Sequence, residues 1–148
     1  MKQLFACATL ILAACASAPP TASYSDAQAI VQQVAQKNPD VQRLTLHAIA
    51  AGTSRCRVIA STAAQRLGTW SDPEDVDVLK SGKPVTLKEH GNVDYTAPLS
   101  DAGGHTIATV GVTLAVPAGG TEESTVVRAK AVAAEVAAAV LAAGKTLW

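Results

Sequence analysis

The stretch VDYTAPLSDAGGHTIATVGVTL, residues 93–114, decides the fold expected for this chain. Segments 93–99 and 106–116 are rich in β-branched and other apolar residues, which favour extended strands. The intervening DAGG, residues 101–104, accepts the unusual backbone angles of a tight turn. The stretch therefore predicts a β-hairpin, and with it an antiparallel sheet.

The second strand of this hairpin has two unlike faces, because successive side chains of a strand point to opposite sides. One face is apolar and consists of Val110, Val112, Leu114 and Val116. The other face is small and mildly polar and consists of Thr109, Gly111 and Thr113. Such a face permits either close packing of a helix or a cavity beside the sheet, and both alternatives stay open at this point.

Outward from the hairpin, the pattern predicts three more strands, at 44–51, 57–63 and 84–89. Apolar periodicity and end signals predict helices at 24–37, capped by Ser25, at 71–81, capped by Ser71 or Asp72, and at 122–143, before Gly144. Together these elements predict an α+β fold, in which the hairpin belongs to an antiparallel part of the sheet and helices lie at the N-terminal and C-terminal ends of the domain.

Two of the predicted helices have alternative interpretations. The acidic cluster at 72–77 matches a helix start, where carboxylates meet unpaired backbone amides; a calcium loop is the alternative, although the glycine and distant glutamate of an EF-hand are missing. The alanine-rich helix 122–143 carries an apolar stripe that suits packing within the domain. Its small side chains would also allow contact with a second copy.

The N-terminal residues have the order of a secretion signal: Lys2, an apolar run at 4–14, then small residues. This run is too short to span a bilayer as a permanent helix. The stretch LAAC at 12–15 resembles the lipobox of bacterial lipoproteins, in which cleavage leaves an acylated, palmitate-type cysteine, here Cys15, as the first residue. Ordinary cleavage near Ala18 and a soluble secreted product is the alternative.

These features predict a signal peptide at 1–14, a flexible tether at 15–23 and one globular domain at 24–148. The lipid anchor would make the membrane a partner of the chain. By the sorting tendency of the lipoprotein class, Ala16 beside the cysteine favours the outer membrane, with the domain facing the periplasm. The formal net charge is zero and the basic residues are scattered, which argues against a nucleic-acid partner.

Cysteine chemistry is limited in the processed chain. Cys7 leaves with the signal and Cys15 is lipidated, so that Cys56 remains without a disulfide partner. We interpret Cys56 as a small buried residue of a strand, and a reactive or intermolecular thiol is the alternative.

Segment 57–85, RVIASTAAQRLGTWSDPEDVDVLKSGKPV, together with the hairpin at 93–114, resembles the extracellular Cache family of bacterial sensory domains, which are relatives of PAS domains. The resemblance implies a five-stranded antiparallel PAS/Cache-like sheet flanked by N-terminal and C-terminal helices, with a long helix on one face and a small-ligand pocket on the other. Carboxylates and amino acids are common ligands in this family. The chain departs from the family because no transmembrane helix, kinase or methyl-accepting domain follows. Signalling would therefore need a partner protein.

The resemblance places Arg66 and Trp70 in the loop that borders the pocket, and Lys88, His90, Tyr95 and Thr109 on the facing strands. An arginine can clamp a carboxylate and an aromatic ring can cover its apolar part. The alternatives are a surface charge for Arg66, a packing residue for Trp70, a solvated strand edge for Lys88 and His90, and a core aromatic for Tyr95.

No nucleophile elbow, phosphate loop or zinc-protease motif occurs, and His47, His90 and His105 fall in different elements. We therefore expect no enzyme activity, no cofactor and no metal. Two hypotheses remain: a tethered domain that binds a small metabolite, or a structural or interaction lipoprotein whose pocket is filled by side chains. They differ in whether the small face around Gly111 lines a void or is plugged by neighbours such as Trp70.

Overall fold

A computed structural model of the chain describes residues 24–143. The predicted signal peptide, the tether, Cys15 and Gly144 lie outside the described residues. The elements, in chain order, are α1 (Ser25–Lys37), β1 (Val41–Ile49), β2 (Cys56–Ser61), a single 3-10 turn (Ala64–Arg66), α2 (Pro73–Ser81), β3 (Val85–Glu89), β4 (Asn92–Ser100), β5 (Thr106–Ala115) and α3 (Glu122–Ala143).

The five strands form one antiparallel sheet in the order β2-β1-β5-β4-β3. The predicted hairpin is confirmed as β4 and β5, in which Tyr95 pairs with Val112 and Ala97 with Val110. β5 also pairs with β1, where Leu44 lies opposite Val112. The long central strand β5 thus joins the two hairpins of the sheet, and the predicted α+β fold is confirmed.

The core lies between one face of the sheet and helices α1 and α3. The strands contribute alternating residues to this face, among them Leu44, Leu46, Val110 and Val112, all fully buried. Burying a side chain of this size stabilises the fold by roughly 1.5–3 kcal/mol. The described core runs from Ala27 to Val140, so a chain that begins at residue 20 retains all of it.

The opposite face of the sheet is covered by α2 and the segment that leads into it. α2 begins after Asp72, whose backbone N–H donates a hydrogen bond of 3.2 Å to the Asp75 carboxylate. It ends at Gly82, which adopts a left-handed conformation with φ of +65°. Both ends match the sequence prediction, and the acidic cluster accordingly forms a helix start.

Several element ends differ from the prediction by one to three residues, and those of α1 and β1 are instructive. Ser25 is the first residue inside α1, Tyr24 takes the cap position and no side chain caps the helix, so the predicted Ser25 cap is wrong. β1 begins at Val41, three residues earlier than predicted, because Val41 pairs with Leu114 of β5. Strand ends are set by such cross-strand pairs, which the local sequence does not reveal.

None of the helices within residues 24–143 combines the length and apolarity that crossing a bilayer requires.

Candidate functional site

A cavity of about 600 Å³ lies on the α2 side of the sheet, at the end where β1 leaves the sheet and where β2 and β5 begin. Its floor comes from the strands, one wall from α2 and the other from the segment that returns along β2. The lining residues are Ile49, Ser54, Arg55, Cys56, Trp70, Ser71, Val76, Leu79, Lys80, Thr106 and Ile107. The volume is in the range of small-molecule sites in proteins.

The cavity combines apolar walls with positive charge. Ile49, Val76 and Ile107 supply aliphatic surface, whereas Arg55 and Lys80 supply cations. None of the described lining residues is acidic. Such a lining is complementary to a small molecule that has an apolar body and an anionic group.

Trp70 is fixed at the mouth of this cavity by backbone pairing with β2. It forms an isolated antiparallel bridge with Arg57, and the Ser71 N–H donates to the Cys56 carbonyl at 3.2 Å. Trp70 is 46% exposed, and the Cζ atoms of Arg55 and Arg57 lie 4.0 Å and 4.7 Å from its ring centre. These cation–π contacts hold the indole and two guanidinium groups together at the surface.

Beside the cavity, beneath α2, a buried polar network occupies the middle of the same sheet face. His47 Nδ1 lies 3.0 Å from Ser71 Oγ and 3.2 Å from Asp75 Oδ2. The hydroxyl of Thr96 donates to Asp75 Oδ1 at 3.3 Å, and Ser71 Oγ donates to Cys56 Sγ at 3.2 Å. The chain of contacts therefore runs from the cavity floor to the centre of the sheet.

Burial shifts the pKa values of His47 and Asp75, at the centre of this network, in the directions that favour the neutral form of each side chain. Burial, assisted by the positive charge of Arg66, lowers the pKa of His47 to about 4. Burial raises the pKa of Asp75 to about 6, and the charge of Glu74 acts in the same direction. At neutral pH, His47 is thus uncharged, and a proton on Nδ1 allows it to donate to Ser71 and Asp75. Burial also raises the pKa of the Cys56 thiol.

The small face of β5 is filled by this network. A Cβ atom added to Gly111 would lie 3.7 Å from His47 Nε2, so the imidazole ring covers the glycine. The polar cleft that remains there measures only about 20 Å³, barely the room of one water molecule. His47 and α2 therefore fill the space beside Gly111, whereas Trp70, which one of the two hypotheses placed there, lies at the surface. Thr109, beside His47 on this face, is fully buried, and its Oγ1 has no hydrogen-bond partner within the described residues.

Three of the six residues singled out from the sequence lie on the α2 side of the sheet. Trp70 lines the cavity and Thr109 lies at the centre of the face. Arg66 lies in the polar cleft and forms an ion pair of 2.7 Å with Asp72, which leaves it outside the cavity lining.

The structure does not bring the other three to the cavity. Lys88 points to the α3 side of the sheet, where its Nζ lies 2.9 Å from Glu122. His90 occupies the turn between β3 and β4, with φ of +51°. Tyr95 is buried in the core on the α1 and α3 side. The interpretation of Cys56 as a buried strand residue is confirmed.

Arg55, Lys80 and His47 are the functional candidates that the sequence did not single out. His47 points to the same side of β1 as Thr45 and Ile49, because alternate residues of a strand share a face. This period of two was available from the sequence. Arg55 and Lys80 had no local signal, because they line one cavity only when α2 folds over the start of β2.

The network differs from a catalytic triad. In a Ser-His-Asp triad the serine and the aspartate contact different ring nitrogens of the histidine. Here Ser71 and Asp75 both contact Nδ1 of His47, and Nε2 faces Gly111. Within residues 24–143, no three side chains of His, Cys, Asp or Glu are grouped so that they could hold a metal ion.

Several solved structures of regulatory domains are similar to the described fold. A transcriptional regulator from Alicyclobacillus acidocaldarius has a TM-score of 0.54 and 16% identity, over 82% of this chain and 67% of that chain. The GAF domain of an Acinetobacter phosphoenolpyruvate-protein phosphotransferase has a TM-score of 0.50 and 19% identity, over 82% and 86%. The inducer-binding domain of the Acinetobacter PobR transcription factor, a double mutant in complex with 3-hydroxybenzoic acid, has a TM-score of 0.52 and 9% identity, over 77% and 94%.

At these identities the similarity shows the fold alone, which is that of GAF and related sensor domains. No protein-family model matches the sequence, and no curated protein is similar to it. Membership of the Cache family stays a prediction.

Proposed function

We propose that this chain is a sensor-like domain, tethered to a membrane through Cys15, which binds a small carboxylate in the cavity beside Trp70 and acts through a partner protein. The observation that carries the proposal is the cavity itself, whose described lining has two cations, no carboxylate and several apolar side chains. The domain binds and presents its ligand, and catalyses no reaction.

In this proposal the ligand lies with its apolar part against Trp70 and Ile107 and with its carboxylate toward Arg55 and Lys80. An arginine can form two parallel hydrogen bonds to a carboxylate, and a lysine adds a mobile point charge. Trp70 lines the cavity and is only partly buried, which makes it a suitable cover for an apolar or aromatic body. Amino acids are the weaker candidates, because no acidic side chain of the described lining is available for an ammonium group.

The fold comparisons support the proposal at the level of architecture. The PobR domain carries a small carboxylic acid, 3-hydroxybenzoic acid, in its complex. A fold of this kind can therefore enclose a ligand of the class that the cavity chemistry favours. Fold similarity does not transfer the ligand, which must be argued from the site of this chain.

A thermal-shift screen of the chain from residue 20 tests the binding site. The screen contains aliphatic and aromatic monocarboxylates, dicarboxylates and amino acids. A ligand at about 100 times its dissociation constant stabilises the folded state by about 2.7 kcal/mol, which is a visible shift for a domain of this size. We expect a monocarboxylate to give the largest shift.

Matched lysine variants identify the site. Lys80→Ala should reduce the shift because it removes a cation from the cavity, whereas Lys88→Ala removes a lysine from the opposite side of the sheet and should leave it intact. Trp70→Ala should abolish the shift. Equal shifts in all three variants would place the ligand elsewhere.

A second function is supported by the filled centre of the sheet face. Because His47 and α2 occupy the space beside Gly111, the chain could instead be an interaction lipoprotein that retains only the architecture of a sensor. A cooperative, stable domain without any hit in the screen favours this second function.

The lipid tether is tested separately. Mass spectrometry of the chain from bacterial membranes should find acyl groups on Cys15, and Cys15→Ser should release the chain from the membrane.

A further inference from the structure

The outer surface of α3 carries a second apolar stripe, in addition to the one that it buries against the sheet. Val127 and Leu141 are 68% and 54% exposed, which is high for large apolar side chains. Three exposed alanines lie between them along the helix. We call these five residues the outer seam: Val127, Ala131, Ala134, Ala138 and Leu141.

The spacing of the outer seam is that of a coiled coil. Its members follow one another at intervals of four, three, four and three residues, which is the alternation of the a and d positions of a heptad. The alanines would let a second helix approach closely, at the short end of the usual 8–10 Å between helix axes. Within residues 24–143 nothing covers this seam, because the contacts of α3 with the sheet and α1 use the opposite side, including Ala129, Val132 and Val136.

Charged residues on the two flanks of the seam indicate what would cover it. Lys130 lies on one flank, in the g position, and Glu135 lies on the other, in the e position. In a parallel two-stranded coiled coil, a g residue faces the e residue five positions later on the other helix. Lys130 of each copy would thus meet Glu135 of the other copy, twice by symmetry. An antiparallel pair centred on Ala134 would bring the two Glu135 carboxylates together instead.

The contacts within one copy leave this pair available. Within the described residues Lys130 forms no ion pair, and its Nζ lies 6.0 Å from the ring centre of Tyr95. Glu135 accepts one hydrogen bond of 3.0 Å from the Asn38 side chain, through Oε2 only. The next pair of the same register, Glu123 with Arg128, is also of opposite charge, but Arg128 is already bound to Asp40.

We propose that two copies of this chain associate through their outer seams, with the α3 helices parallel and Lys130 of each copy paired with Glu135 of the other. The symmetry axis then runs along the helices, so Tyr24 of both copies lies at the same height. Two tethers, as proposed above, could therefore enter one membrane, where the raised local concentration favours a small interface. The dimer itself does not depend on the lipid or on a ligand.

Sedimentation equilibrium of the chain from residue 20 tests the dimer, after cooperative unfolding of each variant has been verified. We expect a weak, concentration-dependent dimer, since five residues bury little area. Ala134→Glu places a charge in the middle of the seam and should abolish it. Ala29→Glu adds the same charge to the exposed face of α1 and should have no effect. A parent chain that stays monomeric at about 1 mM overturns the proposal, because the small interface then has no measurable affinity.

Charge reversal tests the parallel arrangement. Lys130→Glu and Glu135→Lys each turn two attractive pairs into repulsive ones and should weaken self-association by about ten-fold, from the usual strength of exposed ion pairs. An equimolar mixture of the two variants restores both attractive pairs and should form a mixed dimer as strong as the parent dimer. Failure of the mixture to associate, with both variants folded, overturns the parallel pairing.

Discussion

The buried pair of His47 and Asp75 should make two single variants respond to pH in opposite directions. Their side chains are 3% and 7% exposed and meet at 3.2 Å. Burial lowers the pKa of His47 from 6.5 to about 4 and raises the pKa of Asp75 from 3.8 to about 6. At about 1.36 kcal/mol per pKa unit, each displacement corresponds to about 3 kcal/mol of stability.

The two groups contribute with opposite sign over nearly the same pH range. The folded chain holds a proton on His47 less tightly than the unfolded chain does, so the His47 contribution is present above pH 6.5 and is lost as the pH falls toward 4. The folded chain holds a proton on Asp75 more tightly, so the Asp75 contribution is present below pH 3.8 and is lost as the pH rises toward 6. In the parent chain the two contributions to the free energy of unfolding therefore change in opposite directions with pH, and they offset each other to within about 1 kcal/mol.

Removing one group exposes the slope of the other. Asp75→Asn leaves His47 to titrate alone, and the free energy of unfolding should fall by about 3 kcal/mol between pH 6.5 and pH 4 relative to the parent chain. His47→Gln leaves Asp75, and the free energy of unfolding should instead fall by about 2 kcal/mol between pH 4 and pH 6, because this window covers only part of the Asp75 titration. Both substitutions preserve approximate size and can keep a hydrogen bond, so loss of packing contributes little to either slope.

Urea unfolding at half-unit steps from pH 4 to pH 7, followed by far-ultraviolet circular dichroism, measures these slopes. The remaining carboxylates, including Asp94, titrate in all three chains and cancel when each variant is compared with the parent. Difference profiles of the same sign for the two variants would refute the reasoning. A parent profile as steep as that of Asp75→Asn would show that Asp75 does not offset His47.

Two glycines give further predictions. Gly111→Ala should change the free energy of unfolding by less than about 1 kcal/mol, because its Cβ would lie 3.7 Å from His47 Nε2. Gly111→Val should cost about 1–3 kcal/mol, because the larger side chain displaces the imidazole ring. Urea unfolding compares the two variants, and equal losses would mean that His47 does not cover this position. Gly82→Ala should cost about 1–2 kcal/mol because φ is +65° at the end of α2, and Gly82→Asn should cost less. Thermal unfolding of the two variants checks this, and an asparagine as costly as alanine would contradict a conformational cause.

The candidate site was only partly predictable from the sequence. Trp70 was identified because the resemblance to Cache domains places it in the loop that borders the pocket, and a cavity does lie beside it. Tyr95 was misplaced relative to the cavity because the sequence does not say which side of β4 faces α2. The pairing of Tyr95 with Val112 decides this, since it places the ring on the apolar side of β5. Arg55 escaped notice for a related reason, as it reaches the cavity only through contacts distant along the chain.

By itself, the sequence determined the elements and their order. Periods of two and of about 3.6 residues, the end signals of the helices and the turn at 101–104 are local signals, and they sufficed for the hairpin and the three helices. The resemblance to sensory domains added the five-stranded antiparallel sheet. Only the tertiary structure decided what occupies the small face of β5. Gly111 and the threonines beside it suit a void or close packing equally well, and the choice depends on His47 from β1 and Asp75 from α2. Their meeting is set by strand register and by the return of the chain over the sheet, which are long-range interactions.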